Sequence, residues 1–64
     1  MNWLKTAQPE VIVLSYIGGI LKVAINEKIY EYFAQMSTYE TITKYCRKGW
    51  YGKALQVLNK LERV

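Results

Sequence analysis

Between Val11 and Ile29 the chain is dominated by β-branched and other apolar residues, and Gly18-Gly19 interrupts the run near its middle. Two adjacent glycines inside a helix cost about 2 kcal/mol relative to alanine, whereas they suit both central positions of a two-residue hairpin turn. The segment is therefore expected to form strands, with Ile17 opposite Ile20, Tyr16 opposite Leu21 and Ser15 opposite Lys22. The polar pair Ser15 and Lys22 marks one face as outward. Ile12, Leu14, Tyr16, Leu21, Val23 and Ile25 then make the core face. A second two-residue turn in Asn26-Glu27-Lys28 returns the chain as a third strand over 29–34. It adds Tyr30, Tyr32 and Ala34 to the core face and turns Ile29, Glu31 and Phe33 away from it.

The rest of the chain carries helical punctuation. Ser37 followed by Glu40 reads as a capping box, and Arg47-Lys48 before Gly49 reads as a cationic last turn ending at a glycine C-cap, which predicts a helix over 38–48. Beyond Trp50-Tyr51, the positions Ala54, Leu55, Leu58 and Leu61 follow an amphipathic helical spacing and predict a second helix over 52–63. The expected fold is α+β: a three-stranded antiparallel β-meander followed by two α-helices packed on one face (βββαα). Residues 1–9 are read as a leader, whose Trp3 and Leu4 could cover the sheet or dock on a partner, and 10–64 as a single small domain.

Sixty-four residues bury only about 60% of the surface of the unfolded chain, so one marginal core is all the length allows. The 15 apolar-rich residues from Val11 to Ile25, interrupted by Lys22, fall short of the ~20 that span a bilayer. Glu10 before that run and Lys22 near its end argue against a secretory signal. A single cysteine, Cys46, makes no internal disulfide, and a reducing, cytoplasmic setting is expected. There is no histidine, which removes the commonest general base and zinc ligand. Arg47 and Lys48 could lower the Cys46 thiol pKa, but a lone cysteine without a histidine lacks the usual base. No catalytic residue, metal ligand set or cofactor-binding motif is indicated, and the chain is expected not to be an enzyme.

The net charge of +4 is unevenly placed. Residues 1–36 hold three lysines against three glutamates, while residues 37–64 hold six basic residues against Glu40 and Glu62. The whole excess lies in the helical half, an asymmetry that attracts polyanions. Lys44, Arg47, Lys48 and Lys53 surround the inter-helix turn that carries Trp50 and Tyr51. Basic groups beside aromatics are what single-stranded nucleic acid requires, so these six residues are the candidate nucleic-acid site. A second candidate is the outer sheet face, where the strand parity places Val11, Val13, Ile17, Ile29 and Phe33, with Ile20 and Ala24. An apolar patch of that kind marks an interface, and a homodimer packed through its sheets, or another protein partner, is expected.

Residues Gly19-Ile20-Leu21-Lys22-Val23, Ile29-Tyr30-Glu31-Tyr32-Phe33, Tyr39 and Lys48-Gly49-Trp50-Tyr51, with Leu55 beyond, resemble the KTSC domain, a small domain found at the C-terminus of some lysyl-tRNA synthetases. The resemblance covers residues 12–60 and implies a three-stranded meander, a short helix and a Lys-Gly-aromatic segment leading into a last helix. It also implies a nucleic-acid-associated accessory role, with RNA as ligand and no activity of its own. The chain differs from that pattern in the second turn, which has no glycine, and at Gln35-Met36-Ser37, where the family has a Gly-Val-Pro-like exit from strand three. The segment from Thr38 to Leu58 also looks like one helical hairpin of the pentatricopeptide type, but a single such repeat cannot bury its own face. The alternative to nucleic-acid binding is a phage- or plasmid-type modulator acting by protein-protein contact.

Overall fold

The computed structural model describes residues 10–64, and the expected leader with Trp3 and Leu4 lies outside them. Three antiparallel strands, β1 (Val11–Ile17), β2 (Ile20–Ile25) and β3 (Lys28–Phe33), are followed by helices α1 (Met36–Arg47) and α2 (Tyr51–Leu58). The meander has order β1-β2-β3, and both helices pack on one face of it, giving the βββαα architecture. The core is Val11, Leu21, Val23 and Tyr32 from the sheet, Ile42 from α1, and Ala54 and Leu58 from α2. No described helix is long and apolar enough to cross a membrane.

Both hairpin turns have two central residues with positive φ: Gly18 at 60° and Gly19 at 80°, then Asn26 at 51° and Glu27 at 71°. That conformation matches the right-handed twist of the flanking strands, and it is costly only where a side chain is forced into it. Glu27 is the non-glycine, non-Asn residue so placed. Replacing Glu27 with Gly is expected to stabilise the protein by about 0.5–1 kcal/mol, after allowing for the extra freedom glycine has when unfolded. A thermal melt should rise by a few degrees; an unchanged or lower midpoint would mean that the turn carries no strain.

β1 departs from the unbroken register. Ser15, Tyr16 and Ile17 pair with Lys22, Leu21 and Ile20 as expected, but Val13 then pairs with Val23, Ile12 with Ala24 and Val11 with Ile25. Leu14 is left over as a β-bulge. One extra residue reverses the parity of everything before it. Val11 is therefore buried at 2% exposure and Val13 packs against the core, while Ile12 and Leu14 are exposed. The assignment of Val11 and Val13 to an outer interface is corrected by this shift, as is that of Ile12 and Leu14 to the core. Because residues 11–14 are all apolar, the sequence pattern held no mark of the change.

α1 begins at Met36, with Gln35 as N-cap and no side-chain cap bond, so Ser37 and Glu40 lie inside the helix and do not form the expected capping box. The Ser37 carbonyl instead accepts a hydrogen bond from Thr41 Oγ1 at 3.0 Å. Tyr16 anchors α1 to the sheet: its ring stacks on Tyr39 at 4.7 Å between centroids, and its hydroxyl donates to the Ala34 carbonyl at 2.8 Å.

α2 stops at Leu58, five residues short of the expected end. The chain turns through 59–61 and runs beside β3, where Arg63 makes a bridge to Tyr32. Phe33 N–H donates to the Glu62 carbonyl at 2.9 Å, and Val64 N–H donates to the Glu31 carbonyl at 3.0 Å. Pairing there satisfies backbone groups that a bare sheet edge would leave open, which a longer helix could not do. The Arg63 guanidinium lies 4.9 Å from the Tyr30 ring centroid.

Candidate functional site

The turn between the helices is built by the end of α1. With Lys48 as C-cap, Gly49 takes φ 76°, its N–H donates to Cys46 O at 3.1 Å, and Trp50 N–H donates to Tyr45 O at 2.9 Å. These two bonds form a Schellman motif, which needs the left-handed conformation at Gly49 and brings the following residue back against the last helical turn. The residue brought back is Trp50. Its ring centroid lies 6.0 Å from that of Tyr45, at an interplanar angle of 38°. Trp50 also starts the next helix, since its carbonyl accepts Ala54 N–H at 3.1 Å.

Two lysines converge on this aromatic pair. Lys48 Nζ is 4.6 Å and Lys53 Nζ 4.8 Å from the Trp50 ring centroid, and Lys53 Nζ is 6.0 Å from that of Tyr45. Trp50 remains 44% exposed. The indole face attracts each ammonium, yet gathering two like charges at one ring concentrates positive potential there. Lys44, one turn back on α1, and Arg47, next to Lys48, line with Lys48, Tyr39, Glu40 and Thr43 a shallow groove of about 470 Å³. Lys48 belongs both to this groove and to the Trp50 cluster.

Five of the six residues marked from sequence thus form one continuous basic and aromatic surface. Tyr51 stands apart from them, half-buried and packed against the core. Tyr45 is the residue that sequence reasoning missed. It sits at an apolar helical position, three residues after the buried Ile42, and its place four residues before Gly49 is where a Schellman motif makes its apolar contact.

Cys46 sits in the same turn, half-buried. Burial pushes its thiol above the ordinary cysteine value, opposite to the lowering that Arg47 and Lys48 could have produced. At neutral pH it is a protonated thiol, a poor nucleophile. Among the described residues, no group of three or more Cys, Asp and Glu side chains is placed to hold a metal ion.

Comparison with protein-family models, with curated proteins and with solved structures finds no match for this chain.

Proposed function

We propose that this protein is a small, non-enzymatic, cytoplasmic nucleic-acid-binding accessory domain whose ligand is single-stranded, RNA in the first instance. The observation that carries the reading is the half-exposed Trp50 ring with two lysine ammonium groups within 5 Å of its centroid, continuous with Lys44 and Arg47. An unpaired base can stack on the indole, while the lysines transfer to the phosphates on either side. Giving up both cation–π contacts costs about 1–2 kcal/mol, one base stack returns about 1–3 kcal/mol, and the released ammonium groups gain phosphate contacts, so the exchange is favourable. A duplex offers no unstacked base to the ring, so single strands are preferred. The resemblance to the KTSC domain supports the same reading, because its Lys48-Gly49-Trp50-Tyr51 segment is the turn that presents the indole. The lone, half-buried Cys46 suits a reducing compartment.

The test is fluorescence anisotropy with a labelled single-stranded RNA about a dozen nucleotides long. Trp50→Ala is expected to weaken binding by roughly 5- to 150-fold, the equivalent of one lost base stack, while leaving the dependence on salt unchanged. Wild-type protein that binds no oligonucleotide, or a Trp50→Ala variant that binds as tightly as wild type, would reject the proposal. A partner protein recovered without nucleic acid would favour the protein-binding alternative.

A further inference from the structure

The outer face of the sheet, opposite the helices, carries Ile17 at 74%, Ile29 at 62% and Phe33 at 51% exposure. We infer that this face binds a second copy of the same chain, sheet to sheet, about a two-fold axis that runs between β2 and β3 and parallel to them.

The argument rests on how the face complements itself. Its centre is formed by three cross-strand pairs, Ile20 with Phe33, Lys22 with Glu31, and Ala24 with Ile29. A two-fold axis midway between the two strands exchanges the members of each pair. Ile20 then meets the partner's Phe33, Lys22 meets the partner's Glu31, and Ala24 meets the partner's Ile29. Each of these contacts is matched. Two apolar groups meet in the first, opposite charges in the second, and in the third a small residue receives a large one. A hollow of about 350 Å³, lined by Ile12 and Ala24 with Glu10, Asn26 and Glu27, lies beside that contact.

The same axis lies at the middle of the sheet once the 62–64 segment is counted as a fourth, outer strand. It therefore sets β1 of one copy over the C-terminal segment of the other. Strands related in this way stay aligned within the roughly 30° that face-to-face sheets adopt. The charge distribution favours a second copy over a polyanion on this face, since Lys22 and Glu31 cancel there and all the excess positive charge lies in the helical half. The helices become the outermost layers, and the two Trp50 surfaces face away from each other. A four-strand sheet of this length presents roughly 20 by 20 Å, about 400 Å² per copy and 800 Å² in total, the size of a weak, reversible interface.

Sedimentation of the full chain at tens of micromolar is expected to give twice the 7.5 kDa chain mass, with dissociation on dilution. Lys22→Glu and Glu31→Lys should each weaken the dimer by about 100-fold or more, because each variant sets like charges against each other twice. Mixing the two variants places two glutamates on one copy against two lysines on the other, and the mixture should recover a dimer. Circular dichroism establishes that each variant is folded, and Ile17→Lys serves as an independent disruption of the same face. A wild-type chain that stays monomeric, as it would if residues 1–9 covered the face, overturns the inference. So does a dimer that survives the single charge reversals or Ile17→Lys, or a mixture of folded variants that does not associate.

Discussion

Reversing Lys48 and Lys53 together to glutamate is expected to weaken binding to single-stranded RNA by at least 100-fold at about 0.1 M salt. Each lysine that neutralises a phosphate of a single strand contributes about 0.7 to the slope of log affinity against log salt. Engagement of all four cations, Lys44, Arg47, Lys48 and Lys53, gives a slope approaching −3, and removal of two of them halves it. Reversal adds repulsion at the ring where the two ammonium groups now converge. The measurement is an anisotropy titration at several salt concentrations, with the doubly substituted protein beside Trp50→Ala. The two should differ in kind: charge reversal flattens the salt dependence, and loss of the indole lowers affinity at every salt. Equal slopes for wild type and the charge variant would show that Lys44, Arg47 and Lys48 are an ordinary solvated helix end, favoured there by the helix dipole alone, and that Lys53 in the first turn of α2 meets no phosphate.

The second large effect concerns the fold. Leu21 and Ile42 are wholly inaccessible to solvent and face each other's layers, one from the central strand and one from α1. Truncating either to alanine is expected to cost about 2–5 kcal/mol, against a total stability of roughly 3–10 kcal/mol for a chain of this length. Leu21→Ala or Ile42→Ala should therefore lower the thermal midpoint followed by circular dichroism by roughly 10–40 °C. Ile12→Ala should be nearly neutral, because the bulge at Leu14 leaves Ile12 at 47% exposure. The contrast between Leu21 and Ile12 tests the register directly: an Ile12→Ala loss as large as that of Leu21→Ala would return Ile12 to the core.

Much of the architecture was legible because it rests on local chemistry. Gly18-Gly19 supplies two left-handed residues where a hairpin needs them, and Gly49 supplies another where α1 must end. The Ser15 and Lys22 pair identified the outward face of β2, and with it the inward Leu21, Val23, Tyr30 and Tyr32. The basic cluster was legible for the same reason, since Lys44, Arg47, Lys48 and Lys53 lie within ten residues of one another around a turn. The contribution of Tyr45 was not legible. Its ring meets Trp50 only because the chain reverses at Gly49, and an apolar helical position otherwise reads as core.

Element order, the two hairpins, the helix pair and the separation of a neutral sheet half from a basic helical half were determined by the sequence alone, through glycine placement, β-branched runs and the positions of charge. The tertiary structure decided which side of β1 points inward, since Val11-Ile12-Val13-Leu14 offers apolar groups to both faces and only packing against the helices selects the bulge. It also decided where α2 stops. Residues 62–64 can continue a helix or extend along β3, and the open N–H of Phe33 and carbonyl of Glu31 draw them to the sheet edge. In both places the local signals were degenerate, and contacts distant in sequence chose between states that the residues themselves allow.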